Sequence, residues 1–99
     1  MRDVFKALGD PTRREILSQL ARGSMTAGEI WGLFPISRAS LSHHFNVLKS
    51  ADLVRTERRG QTIIYSLNTS VIDEIMVAVV DIFEPKSKAS STRRAKVPR

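Results

Sequence analysis

The chain has 99 residues, with 16 Lys and Arg against 10 Asp and Glu, a formal net charge of +6 and no cysteine. That length supports one folded domain with a modest core and leaves no room for a second. The missing thiols exclude disulfides, thiolate metal sites and a cysteine nucleophile, and they fit a reducing compartment.

Asp10-Pro11 is a helix start, an N-cap followed by proline at the first helical position, where its absent N–H costs nothing. Ahead of it, Val4, Phe5 and Leu8 make a short apolar face on a helix ending before Gly9, and behind it Ile16, Leu17 and Leu20 fall at one-turn spacing up to a stop at Gly23. Thr26-Ala-Gly-Glu29 is a capping box, which predicts a third helix with Ile30, Leu33 and Phe34 as its apolar stripe. Pro35 cannot continue that helix. Ser37 can cap a fourth, running to about Ala51 with Leu41, Phe45 and Leu48 inward and Ile36 as a staple. From Leu53 the period changes to β-branched runs, Leu53 to Arg59 and Gln61 to Leu67, which predict a hairpin turning at Arg59-Gly60. A last helix is expected from Thr69 or Ser70, apolar at Val71, Ile72, Ile75, Met76, Val79, Val80 and Phe83, with Val77, Ala78 and Ile82 widening the stripe.

The longest apolar stretch, Ile75 to Val80, is far below the roughly 20 residues of a membrane span, and no apolar signal segment opens the chain. A soluble, cytoplasmic protein without membrane insertion is expected. Its charge is uneven: residues 1–83 hold ten Lys and Arg against nine Asp and Glu, whereas 84–99 hold six against Glu84 alone. With almost no large apolar side chain, 84–99 reads as a basic disordered tail, either a phosphate-binding arm or a solubilising extension. The domain proper is then 1–83.

The expected fold is mainly α with a β-hairpin wing, a winged helix-turn-helix in the order α-α-α-α-β-β-α, in which the fourth helix can enter a DNA major groove. With Leu41, Phe45 and Leu48 buried, that helix displays Arg38, Ala39, Ser42, His43 and Asn46 on its opposite face. These types suit base edges: Arg bonds guanine bidentately, Asn bonds adenine, Ser and His have several partners, and Ala meets a thymine methyl. The helix start adds its free N–H groups and the hydroxyls of Ser37 and Ser40, which favour phosphate. Arg58, Arg59 and Gln61 at the hairpin tip read as wing contacts to the backbone or minor groove.

Asp10 to Leu20, Ser37 to Leu48 and Gly60 to Leu67 together resemble the ArsR/SmtB-type bacterial winged-helix repressors, closest to their SdpR-like autorepressor branch, over about residues 1–83. The resemblance implies a homodimer on a double-stranded operator with dyad symmetry. It implies base-reading positions at Arg38, Ala39, Ser42 and His43, and a dimer interface built from the first and last helices. The surplus apolar face at Val71, Ile72, Ile75, Met76, Val79 and Phe83 agrees, since it exceeds what one small domain can bury and could pair with Val4, Phe5 and Leu8 of a dimer.

Many family members sense metals through cysteines or through Asp, His and Glu on the last helix. Here that helix offers Asp73, Glu74 and Asp81 without histidine, and His43 and His44 point about 100° apart and cannot share one ion. His44, nearer the core side, reads as a structural hydrogen bonder, and Trp31 and Phe34 as core packing in preference to a ligand pocket. No cofactor is expected, and the chain reads as a sensor-less repressor, or as one relieved by an anti-repressor protein or an unrecognised ligand. With no Gly-rich phosphate loop, activated nucleophile or paired carboxylates, an enzyme is excluded. The competing reading is a winged-helix protein-interaction module.

Overall fold

In a computed structural model of the chain, which describes residues 3–84, Asp3 and Asp10 open the first two helices in the same way. Asp3 Oδ1 accepts the Lys6 N–H at the start of α1 (Val4–Leu8), and Asp10 Oδ2 accepts the Arg13 N–H at the start of α2 (Pro11–Leu20), both at 3.0 Å. A helix as short as α1 leaves most of its carbonyls without an internal partner. Arginines of α2 supply the donors. Arg13 Nε donates to Ala7 O and its Nη2 to Lys6 O, both at 2.9 Å, and Arg14 Nη1 donates to Leu8 O at 2.8 Å. Arg13 is only 8% exposed, and its remaining branch, Nη1, lies 3.1 Å from His44 Nδ1.

That contact fixes the state of His44. A guanidinium only donates, so Nδ1 must carry the lone pair and the imidazole is neutral, with its proton on Nε2. Burial holds the His44 pKa below the ordinary value; the charges of Arg13 and His43 push the same way, against Asp10 at 3.9 Å.

After α2 come β1 (Met25–Thr26), α3 (Ala27–Trp31), α4 (Arg38–Ser50), β2 (Val54–Arg59), β3 (Thr62–Leu67) and α5 (Thr69–Phe83). The core of the helical part joins Ile16, Leu17 and Leu20 of α2, Ile30 of α3, and Leu41, Phe45 and Leu48 of α4, all of them buried. Ala7, not the predicted apolar trio, is the buried residue of α1: Val4 and Leu8 are half-buried and Phe5 is 72% exposed.

The expected helix starts at Asp10, Thr26 and Ser37 are all present, and the capping box is complete, with Glu29 N donating to Thr26 Oγ1 at 3.0 Å and Thr26 N to Glu29 Oε1 at 2.8 Å. The third helix is shorter than its stripe predicts. It stops at Trp31, with Gly32 as C-cap, and leaves Leu33 half-exposed beyond it. Glycine is a weak helix residue, and Pro35 disfavours helical geometry at Phe34.

The strand expected from Leu53 begins at Val54, because Leu53 completes the stop of α4. Asp52 takes φ +60, Leu53 N donates to Leu48 O at 3.0 Å and Asp52 N to Lys49 O at 2.9 Å. This is a Schellman closure, and Leu48 and Leu53, its apolar pair, are both 0% exposed. The hairpin turns through Gly60 and Gln61, with Arg59 opposite Thr62; Gly60 at φ +64 supplies the positive φ such a two-residue loop needs at its first position.

The expected order of elements omits β1, which pairs antiparallel with β3 (Met25 with Tyr65, Thr26 with Ile64) and makes the sheet three-stranded in the order β1-β3-β2. Two residues carry no alternation to detect. Thr26 thus pairs in the sheet through its backbone while its hydroxyl caps α3.

The chain divides into two compact units after Thr69. The second carries α5, whose Met76, Val80 and Phe83 are 60%, 51% and 78% exposed. Of the tail read as 84–99, only Glu84 is described, and 85–99 lie outside the described residues.

Replacing Arg13 by Ala should lower unfolding free energy by about 2–4 kcal/mol, since two carbonyls of α1, one buried and one partly buried, lose charged donors. Arg13→Lys should recover little of it, having one ammonium for three directions; urea titration that finds Arg13→Lys equal to wild type would contradict this account. Because the folded chain resists protonating His44, stability is full above 6.5, the ordinary histidine value, and falls as pH drops from there toward the lower folded value. His44→Gln keeps an acceptor for Arg13, so its stability measured across the same range should lack that step.

Candidate nucleic-acid interface

Ser37 sets the start of α4: its Oγ accepts the Ser40 N–H at 3.0 Å. That bond consumes one lone pair and leaves the hydroxyl proton free to donate. The first turn therefore presents unpaired backbone N–H groups at the positive end of a thirteen-residue helix. Arg38, Ala39, Ser40, Ser42, His43 and Asn46 are all exposed, while Leu41, Phe45 and Leu48 are buried. Phe45 stacks on Tyr65 of β3 with ring centroids 4.1 Å apart, fixing the inner face against the sheet.

Two clefts flank α4 and take up four of its outer residues, two each. Arg38 and Ser42 line one of about 270 Å³, together with Trp31 of α3 and Ile63 and Tyr65 of β3. His43 and Asn46 line the other, about 250 Å³, with Asp3 and Lys6 of α1. Lys6 thus brings a cation beside two expected base readers, a residue the sequence reading passed over because nothing in its neighbourhood marks it. Trp31, expected in the core, is only half-buried: its Nε1 donates to Ile36 O at 3.1 Å, and the Arg38 guanidinium lies 4.3 Å from its ring centroid. Phe34 is not among the residues lining either cleft.

The hairpin separates the two wing arginines. Arg58 stands opposite Ile63, and Thr56 opposite Tyr65, so Arg58 shares a sheet face with the residues lining the Arg38 cleft. Arg59 points to the other face, where its Nε lies 3.1 Å from Glu57 Oε2 in an exposed ion pair. Arg58 Nη1 makes a long contact, 3.3 Å, to Gly60 O, and Gln61 is exposed in the turn.

Among the described residues no three His, Cys, Asp or Glu side chains gather as a metal-holding group, and no helix is long and apolar enough to cross a membrane. Residues 10–56, from the α2 cap into the wing, match the family described as bacterial regulatory protein, arsR family. Over 74 residues the chain is 54% identical to the transcriptional repressor SdpR of Bacillus subtilis (strain 168), covering 75% of this chain and 82% of that protein. The chain belongs to the ArsR family. A second relative, the arsenical resistance operon repressor of Staphylococcus xylosus, is 38% identical over 72 residues, with 73% of this chain and 69% of that protein covered. The solved ArsR-like transcriptional regulator from Rhodococcus sp. RHA1 superposes with a TM-score of 0.75 at 30% identity, covering 93% of this chain and 80% of that one. The ArsR-family match runs through the whole of α3 and α4, which carry the exposed face and, with β3, line the first cleft.

The geometry separates the wing arginines experimentally. Arg58→Ala should weaken binding to duplexes of every sequence and reduce the slope of log affinity against log salt by about one. Arg59→Ala, removing a charge already paired with Glu57, should change both far less. Equal losses in a salt-titrated binding assay would show that the ion pair opens on DNA.

Proposed function

We propose that this ArsR-family regulator is a transcriptional repressor that acts as a homodimer in the cytoplasm and reads a double-stranded operator with dyad symmetry. The observation that carries the reading is the exposed N-terminal face of α4. There Arg38, Ala39, Ser42, His43 and Asn46 combine base-reading chemistry with a helix start that favours phosphate, and Arg58 stands on the wing face toward it. Relatives named as repressors support the direction of regulation.

The proposed dimer rests on the apolar surface of α5. Ile72, Ile75 and Val79 are half-buried, and Met76, Val80 and Phe83 beside them are exposed, so apolar side chains run along roughly half the helix circumference. A face of that width is stable in water only when covered, and a second copy covers it isologously, together with Val4, Phe5 and Leu8 of α1. Val71 is already buried in the single chain. Two copies place two α4 helices on successive half-sites of an operator. A chain without cysteine offers no thiolate to a soft metal, and we assign any release from DNA to an anti-repressor protein or to a ligand other than a thiolate-bound metal.

The deciding experiment enriches duplexes bound by the purified protein from a random-sequence pool. A palindromic consensus bound at two chains per duplex is the expected result, and a pool that never enriches would favour the protein-interaction module instead. On the enriched duplex, Arg38→Ala and His43→Ala should each lose about 1–3 kcal/mol of specific binding. Ile75→Asp should sediment as a monomer and bind a half-site only weakly; a dimeric Ile75→Asp would remove α5 from the interface.

A further inference from the structure

Among the arginines of α4 and the wing, Arg38 is held differently. Arg55 donates to Asn68 Oδ1 at 3.4 Å, Arg58 to Gly60 O and Arg59 to Glu57, so each commits part of its hydrogen-bonding edge to the protein. Arg38 is exposed, and among the described residues its guanidinium is engaged by the Trp31 ring and by no hydrogen bond or ion pair. A cation–π contact commits none of a guanidinium's N–H donors to a protein oxygen or nitrogen.

The Trp31 ring is itself anchored. Its indole N–H donates to the carbonyl of Ile36, one residue before the Ser37 cap of α4 and two before Arg38. The same side chain that closes the turn between α3 and α4 therefore carries the platform on which the first residue of α4 rests. The cleft around it is walled by Leu41, Phe45, Ile63 and Tyr65, apolar or aromatic side chains that offer Arg38 no competing charge.

We propose that Trp31 is a specificity-determining positioning residue: its π face pre-organises the Arg38 guanidinium, donors outward, for bidentate recognition of a guanine in the operator. An arginine free in solvent surrenders much of its rotamer freedom when it docks on a base. One already held against a ring has given up part of it before DNA arrives. The contribution appears only where Arg38 reads, so it raises specific binding over non-specific binding and leaves the phosphate-driven term alone. This inference rests on the DNA-binding reading above.

Trp31 is the only tryptophan in the chain, so biosynthetic replacement of tryptophan by its mono-, di- and trifluorinated analogues changes this ring alone. Fluorine withdraws electron density from the π face with little change of shape, and the indole N–H is retained. Affinity for the duplex enriched by the wild-type protein should fall stepwise along the series, reaching about three- to tenfold, with affinity for a shuffled duplex constant. In the Arg38→Ala background the series should be flat, and Trp31→Phe, which keeps a ring, should retain more specificity than Trp31→Leu. If Arg38→Ala abolishes specific binding but fluorination changes nothing in the wild-type background, Trp31 has no positioning role while the DNA-binding reading survives. If specific and shuffled duplexes weaken together, Trp31 acts through the fold and the proposal is overturned. Absence of any enriched duplex would overturn both readings at once.

Discussion

The Arg13 guanidinium is the constraint from which the arrangement of the helices follows. It is a buried charge, and a buried charge is tolerable only when its donors are used. Here they meet Lys6 O and Ala7 O of α1 and His44 of α4, so one side chain of α2 sets the positions of two other helices. The dependence is mutual: α1 is too short to satisfy its own carbonyls, and α4 presents to Arg13 a histidine that must stay neutral. On its far side α4 is held by the Phe45–Tyr65 stack. With its inner residues gripped by α2 and the sheet, the outward residues of α4 stand on a rigid base, which is what a base-reading surface requires.

The sheet joins this helical frame to the wing through very little chain. Thr26 is a strand residue by its backbone and a helix cap by its side chain, so the strand β3 and the helix α3 meet at one residue. The position of the wing relative to α4 is thereby fixed at the middle of β3, by Thr26 opposite Ile64 and by Tyr65 beneath Phe45. That places Arg58 on the face shared with Ile63 and Tyr65 and turns Arg59 away to its partner Glu57.

Much of this was legible in the sequence wherever a side chain acts on its own local backbone. Asp10, Thr26 with Glu29, and Ser37 announce helix starts by chemistry that operates over three residues, and each start lies where that chemistry puts it. The stripe Leu41, Phe45 and Leu48 likewise identifies the inner face of α4 and so, by subtraction, the exposed one. What escaped depends on partners distant in sequence. β1 exists because of β3 and has no pattern of its own. Arg13 and Arg14 look like surface residues, yet two cations in the first turn oppose the helix dipole, and that misfit was the available hint that they answer to another helix's carbonyls. Trp31, expected in the core and not in a ligand pocket, is half-buried with Arg38 against its ring. The opposite facing of Arg58 and Arg59 was deducible from strand alternation alone.

Adjacent histidines on α4 divide what can drift from what cannot. His44 is tied to Arg13 and hence to the frame; His43, roughly a quarter-turn away, is exposed. The same division holds along the helix, since Ala39, Ser42 and Asn46 take no part in the buried core. Duplicated descendants of such a chain can therefore exchange their outward residues and acquire new targets while inheriting one scaffold unchanged. Arg38 is the exception, because its loss uncovers an aromatic ring. Divergence should accordingly reach positions 38 and 31 together, or leave both alone.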